Sequence, residues 1–146
     1  MRRAVAIAVV LAGCGGATHD EVTTPTEPVR RECTAALRFE EPPEVATDAA
    51  EERPLTAISL VLICEGDPTR RVAIGSEVGA CFREEDQASL LRARCWWAGE
   101  GASIVVRHED DALVVRRASF DEATGPGVYE ESARLEVPGD ADVRPL

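Results

Sequence analysis

The sequence predicts an all-β fold, a small antiparallel sandwich or partly open barrel of about six or seven strands that is stabilised by disulfides. Three observations favour this fold. From Thr56 onward, apolar residues alternate with polar ones or form short runs, which is typical of strands. Turn-forming residues separate these segments every several positions, and four cysteines are spread over the same part of the chain. A chain of 146 residues accommodates one such domain.

The first 13 residues have the layout of a secretion signal peptide. Arg2 and Arg3 give a positively charged start, and residues 4–12 form an uncharged apolar run that ends in small side chains. A membrane-spanning helix needs about 20 apolar residues, so this run is too short to serve as one. We therefore predict that residues 1–13 are removed on export.

The signal peptide ends at a cysteine in a distinctive setting. Leu11, Ala12 and Gly13 precede Cys14, so that a leucine and two small residues lead up to the thiol. This segment resembles the cleavage box of bacterial lipoproteins. The resemblance implies that the mature chain begins at Cys14, whose sulfur carries diacylglycerol and anchors the protein to a membrane. Gly15 stands where many lipoproteins retained at the inner membrane have Asp, which favours the outer membrane.

Residues 14–31 predict a tether between the anchor and the folded domain. Thr, Pro and acidic residues dominate this segment, and its apolar surface is too small to offset the entropy lost on ordering. We interpret His19 as a solvated residue of the tether. A single β domain is then expected over residues 32–138, followed by a C-terminal tail at 139–146.

The charge balance excludes one class of partner. The leader takes two of the 16 basic residues with it, which leaves 14 against 27 acidic residues and a net charge of −13. An acidic surface of this size repels phosphate backbones. We therefore expect no nucleic-acid partner.

Cys33, Cys64, Cys81 and Cys95 predict two disulfides, because their number is even and the leader directs the chain to an oxidising compartment. Four cysteines allow three pairings, and the spacing alone does not choose among them. We prefer Cys33 with Cys64 and Cys81 with Cys95, since each pair joins consecutive cysteines that could close neighbouring strands. A zinc or redox site is the alternative, but no Cys-x-x-Cys occurs and the spacings match no zinc ribbon. We expect neither a metal nor a cofactor.

Two hairpins stand out in the folded part. Residues 56–64 are apolar on both faces and predict a central strand, with turn residues at 65–68 and a return strand at 71–74. The clearest hairpin joins residues 103–108 to residues 112–118. Alternation along these two strands puts four apolar side chains on the core face: Ile104, Val106, Leu113 and Val115.

Other segments give weaker signals. Residues 33–39 and 132–137 are candidate flanking strands. The acidic, Pro-containing segment 40–54 predicts a loop that is long for a compact domain. A short helix is an option over residues 84–91.

Residues 90–97 alternate as a strand and contain both tryptophans. The predicted core face carries Leu91, Ala93, Cys95 and Trp97. The opposite face carries Leu90, Arg92, Arg94 and Trp96. We expect Trp96 to stack on Arg92 and Arg94. The alternative is that Trp96 offers a platform for a sugar or a partner protein.

The bend of the second hairpin is acidic. His108, Glu109, Asp110 and Asp111 offer nitrogen and oxygen ligands that suit calcium. Their arrangement lacks the spaced ligands of a calcium loop, so we predict a solvated turn.

The sequence favours a protein without catalytic activity. His108 is the only histidine of the folded region, and neither Gly-x-Ser-x-Gly nor His-Glu-x-x-His occurs. We expect a lipoprotein at the outer membrane that binds an envelope protein or polysaccharide or has a structural role. The alternative is a small-ligand or carbohydrate-binding module that uses Trp96. A hydrolase built on paired acidic residues is the third interpretation.

Overall fold

The computed structural model describes Gly16, residues 25–41 and residues 55–146. The predicted leader, Cys14 and His19 lie outside the described residues, as does most of the predicted loop at 40–54. The described residues are organised entirely into strands and the turns between them, with no helix. Within those residues, accordingly, no helix has the length and apolar character needed to cross a membrane. The predicted all-β, disulfide-stabilised class is confirmed.

Within the described residues, ten strands form two sheets. In chain order they are β1 (Arg31–Glu40), β2 (Leu55–Cys64), β3 (Arg70–Val78), β4 (Ala80–Glu84), β5 (Leu91–Trp97), β6 (Glu100–Glu109), β7 (Ala112–Asp121), β8 (Gly125–Pro126), β9 (Glu130–Glu136) and β10 (Ala141–Pro145). The first sheet has the order β10-β1-β2-β3. The second has the order β4-β5-β6-β7, continued by β8 and β9, which both pair with β7. The sheets do not close into a barrel, so the fold is a sandwich.

In the first sheet, β2 has the central place that its apolar sequence predicts. It pairs antiparallel with both β1 and β3, and the predicted hairpin into β3 is confirmed. Leu60 and Leu62 of β2 are fully buried, as expected for a strand with a neighbour on each side and a sheet packed against it. The pairing of β2 with β3 shifts by one residue between Ile58 and Ser59. The extra residue belongs to β3, where the resulting bulge bends that strand.

In the second sheet, the hairpin between β6 and β7 closes through the two residues Asp110 and Asp111. Asp110 has a φ of 51°, a left-handed conformation that Asp tolerates better than most residues. The predicted face is confirmed, because all four of its apolar side chains are fully buried: Ile104, Val106, Leu113 and Val115. They form one core cluster with Leu37, Leu60 and Leu62 of the first sheet.

The chain passes from the first sheet to the second at Gly79, which separates β3 from β4. Gly79 has a φ of +93°, and a Cβ there would approach the carbonyl oxygen of Trp96 to 1.9 Å, so only glycine fits. The side chain of Thr56 donates a buried hydrogen bond of 2.7 Å to the Gly79 carbonyl oxygen. This hydrogen bond ties β2 to the crossover, and the absence of a side chain at Gly79 lets the end of β5 lie against it.

Each sheet contains one disulfide. Cys33 of β1 lies directly opposite Cys64 of β2 and is bonded to it. Cys81 of β4 lies opposite Cys95 of β5 and is bonded to it. The preferred pairing is confirmed, and each bridge links neighbouring strands.

Three predictions need correction. The helix considered over residues 84–91 is wrong, because Glu84 ends β4, Leu91 begins β5, and Asp86 organises the turn between them. The Asp86 carboxylate accepts hydrogen bonds from the Ala88 backbone N–H and the Ser89 hydroxyl, an arrangement that competes with helix formation.

The tail predicted at 139–146 instead contains β10, which pairs parallel with β1. The ten strands of the described residues exceed the predicted six or seven because β4, β8 and β10 are too short to be recognised from the sequence.

Candidate functional site

The outer face of β5 carries the predicted ligand-binding residues Arg92, Arg94 and Trp96, which do share one face. Arg94 Nη2 lies 2.9 Å from Glu84 Oε1, and Arg92 Nε lies 3.2 Å from Glu84 Oε2. Arg92 Nη1 is also 3.6 Å from Asp86 Oδ2. The acidic groups of the protein itself therefore balance both guanidinium charges.

Phe120 is the aromatic centre of this face. The guanidinium of Arg94 lies 4.2 Å from the centre of the Phe120 ring, a cation–π contact. The half-buried Trp96 packs against the same ring, with 6.1 Å between ring centres. The prediction that Trp96 stacks on Arg92 and Arg94 is therefore wrong, because the guanidinium of Arg94 stacks on the ring of Phe120 and not on that of Trp96. The pairing of β7 with β6 brings Phe120 there from a distant part of the chain.

The exposure of Trp97 differs from the prediction. It was expected in the core with Leu91, Ala93 and Cys95, and those three are buried, but Trp97 is 45% exposed. The alternation gives the correct face. However, Trp97 is the last residue of β5, at the rim of the sandwich, where the first sheet ends at Val78 and no longer covers it. The ring therefore forms the wall of a surface cleft.

The Trp97 cleft has a volume of about 340 Å³ and lies between the ends of the two sheets. Its lining consists of Glu77, Val78, Trp97, Ala98, Glu100, Gly101 and Arg117. A second hollow of about 420 Å³ shares Ala98 and Glu100 with it and extends toward Asp121 and Glu122. An aromatic wall and a few converging polar groups are typical features of ligand sites.

An ion pair lies at the base of the cleft. Arg117 of β7 donates hydrogen bonds from Nε and Nη2 to the two carboxylate oxygens of Glu77 on β3. The Glu77 side chain is only 10% exposed, whereas that of Arg117 is 42% exposed. This hydrogen bonding raises the pKa of Arg117 above its ordinary value, so the guanidinium stays charged. The pair also links the two sheets.

The acidic turn beyond β6 is occupied by internal contacts. Both carboxylate oxygens of Glu109 accept hydrogen bonds from Arg116, and this pairing lowers the pKa of Glu109. The backbone of Asp111 accepts a hydrogen bond of 2.7 Å from the Val137 N–H. Within residues 25–41 and 55–146, no group of three or more His, Cys, Asp or Glu side chains is placed to hold a metal ion.

Sequence reasoning missed Glu77, Arg117 and the exposed position of Trp97. Glu77 and Arg117 are 40 residues apart, in strands of different sheets, and neither belongs to a recognisable motif. The sequence does offer one signal for this ion pair. Glu77 lies beside the apolar end of β3, and a carboxylate that is buried there needs a partner.

Comparisons with known proteins add no relatives. No family model, no curated protein and no solved structure matches the chain.

Proposed function

We propose that this protein is a lipoprotein anchored to the outer membrane through Cys14, and that its β domain is a non-catalytic binding module of the cell envelope. The leader and the Leu11–Cys14 segment support the anchor. Two disulfides in the domain support an oxidising compartment outside the cytoplasm. The membrane is then one partner, through the lipid, and an envelope protein or polysaccharide is the other.

One observation carries the binding role: a half-exposed Trp97 stands in a preformed cleft beside an ion pair whose carboxylate is largely buried. Exposed tryptophan is uncommon on protein surfaces and is enriched where partners bind. The outer face of β5 is the weaker candidate, because Glu84 already pairs with both of its arginines and Trp96 packs on Phe120. We therefore assign binding to the Trp97 cleft and not to Trp96.

The same geometry argues against a hydrolase at this cleft. Acid–base hydrolysis by a carboxylate pair needs two groups that are free to exchange protons with a substrate. Both oxygens of Glu77 accept hydrogen bonds from Arg117, so this carboxylate is already engaged within the protein. Binding without catalysis follows as the simpler role.

Anchoring is tested by lipid labelling and membrane fractionation. The full chain is expressed in a bacterium that has inner and outer membranes and is supplied with an alkyne-tagged palmitate. We expect the parent protein to be labelled, processed and recovered with the outer membrane, and Cys14→Ser to be unlabelled and unprocessed. Gly16→Ala is the matched control, because Gly16 has open space around it and should behave as the parent does. A Cys14→Ser protein that keeps the label and the membrane fraction contradicts the proposal.

Sorting between the two membranes is tested separately. Gly15→Asp introduces the residue that many inner-membrane lipoproteins carry at this position. We expect this variant to keep its lipid label and to move from the outer-membrane to the inner-membrane fraction. If Gly15→Asp is unlabelled, the substitution prevents processing at Cys14, and the predicted change of membrane is contradicted.

The binding role is tested by affinity capture from an envelope extract, with the parent and Trp97→Ala proteins used side by side. A component that the parent retains and Trp97→Ala loses supports binding at the cleft. Equal recovery by both proteins argues against it.

A further inference from the structure

We infer that the Trp97 cleft binds a neutral saccharide, with a sugar ring against the indole of Trp97 and hydroxyl groups hydrogen-bonded to the Glu77–Arg117 pair. This inference rests on the proposed function, because it names the class of ligand that the binding module takes. Four properties of the cleft support it: its wall, its polar base, its charge and its size.

The wall is a flat aromatic surface open to solvent. Trp97 is 45% exposed although it belongs to the core-facing side of β5. Indole combines a large apolar face with a polar N–H, so it suits ligands that have an apolar side and a polar edge. Sugar rings have this character, because one face of the ring presents C–H groups while its edge carries hydroxyls.

The base offers hydrogen-bond donors and acceptors side by side. A guanidinium has five N–H donors, of which Arg117 uses its Nε and Nη2 groups for Glu77. Donors remain on Arg117, whose side chain is 42% exposed at the cleft, and each Glu77 oxygen keeps acceptor capacity. A hydroxyl group both donates and accepts, so vicinal hydroxyls fit this pair better than a ligand that only donates or only accepts.

The charge of the cleft favours a neutral ligand. Glu77 and Arg117 cancel each other, which leaves the Glu100 carboxylate as the remaining charge of the lining. An anion would meet that carboxylate and the acidic mature chain, whose 14 basic and 27 acidic residues give a net charge of −13. A cation would meet the guanidinium of Arg117, whose side chain is 42% exposed at the cleft.

The size of the cleft limits the ligand to a few rings. Its 340 Å³ lies at the low end of the roughly 300–1,000 Å³ range of small-molecule pockets. The second hollow, of about 420 Å³, adjoins it at Ala98 and Glu100 and gives a longer chain a place to continue. A mono- or disaccharide, or the end of a polysaccharide, therefore fits.

The cleft is also built in advance of binding. The Glu77–Arg117 pair joins β3 to β7, and the absence of a side chain at Gly79 lets the end of β5 lie against the crossover. A preformed site loses little conformational entropy when a ligand binds. Binding then requires no rearrangement of either sheet.

The two tryptophans of the chain allow a matched fluorescence test. Trp96→Phe leaves Trp97 as the only tryptophan and keeps an aromatic ring against Phe120, whereas Trp97→Phe leaves only Trp96. The mature chain, residues 14–146, is purified in a detergent without a sugar headgroup and titrated with disaccharides of glucose, mannose and N-acetylglucosamine. Glucuronic acid and choline serve as charged comparison probes. We expect at least one neutral disaccharide to change the emission of Trp96→Phe saturably, with little change in Trp97→Phe and none with the charged probes.

Calorimetry of the parent protein and Trp97→Ala completes the test. We expect Trp97→Ala to bind the responding sugar at least tenfold more weakly, while its far-UV circular dichroism stays that of the parent. The inference is overturned if the parent binds none of the neutral sugars, if the signal comes from Trp96, or if a charged probe binds best. These measurements do not depend on acylation of Cys14, so they can fail while the labelling experiment succeeds, or the reverse.

Discussion

Arg117 on β7 reaches across the sandwich to Glu77 on β3 and engages both oxygens of its carboxylate. The acid is 10% exposed, so the arginine is what makes burial of that charge acceptable. The contact contributes to stability and also shapes the base of the cleft.

Removing the arginine should destabilise the fold. Arg117→Ala leaves the Glu77 carboxylate largely buried without its partner, and we expect the free energy of unfolding in urea to fall by about 1–3 kcal/mol. Arg144→Ala is the control, because Arg144 is 66% exposed and its pair with Asp142 should contribute less than about 1 kcal/mol. Equal losses in the two variants would contradict a special role for the buried pair.

Each disulfide should contribute substantially to stability. The Cys33–Cys64 and Cys81–Cys95 bridges span 31 and 14 residues, and loop-closure entropy predicts a contribution of about 3–4 kcal/mol for each, slightly larger for the longer loop. Paired substitution of either bridge by alanine should lower the midpoint of guanidinium unfolding accordingly. Cys14→Ser keeps both bridges and should leave the midpoint unchanged. A bridge whose removal has no effect would be dispensable to the fold.

Two buried serines should respond in opposite directions. Ser59 Oγ on β2 is buried opposite the bulge in β3 and has no hydrogen-bond partner among the described residues, so Ser59→Ala should raise stability by about 1 kcal/mol. Ser103 Oγ lies 2.7 Å from the Tyr129 hydroxyl, so Ser103→Ala should lower stability by about the same amount. Thermal unfolding of the two variants measures both effects. Melting temperatures that shift in the same direction would contradict this account of the Ser59 hydroxyl.

The turn at Asp86 should make stability depend on pH in the acid range. Hydrogen bonds from the Ser89 hydroxyl and the Ala88 N–H lower the pKa of Asp86. A carboxyl whose pKa is lowered by folding stabilises the protein above its unfolded pKa, and this contribution is lost as the pH falls through the folded pKa, below about pH 4. Ser89→Ala should raise the pKa of Asp86 in an NMR titration and make the acid-induced loss of stability smaller. An unchanged Asp86 titration would mean that the hydroxyl bond does not form in solution.

Local alternation was sufficient to predict the parts of the fold that depend on neighbouring strands. The hairpin between β6 and β7 and the shared face of Val106 and Leu113 follow from period two, because alternate residues of a strand point to the same side of the sheet. The disulfide pairing followed from joining consecutive cysteines, since each cysteine pair sits on two adjacent antiparallel strands.

Features that depend on the packing of one sheet on the other could not be predicted from one sequence. Alternation gave the face of Trp97 but not the point where the covering sheet ends. The Glu77–Arg117 pair joins strands 40 residues apart and depends on how β3 crosses the second sheet. Strand β10 pairs in parallel with a strand from the other end of the chain, and its alternation, with Ala141 and Val143 packed on the core, covers too few residues to indicate a strand.

The position of the first disulfide has a mechanical consequence. Cys33 is the third residue of β1, so a pull on the N-terminal side of the domain strains only Arg31 and Glu32 before it meets a covalent link to Cys64. From that point the load is shared by β1 and β2, and β1 cannot be peeled off alone. A domain attached through its N-terminal segment is thereby protected against unravelling under tension for as long as the bridge stays oxidised.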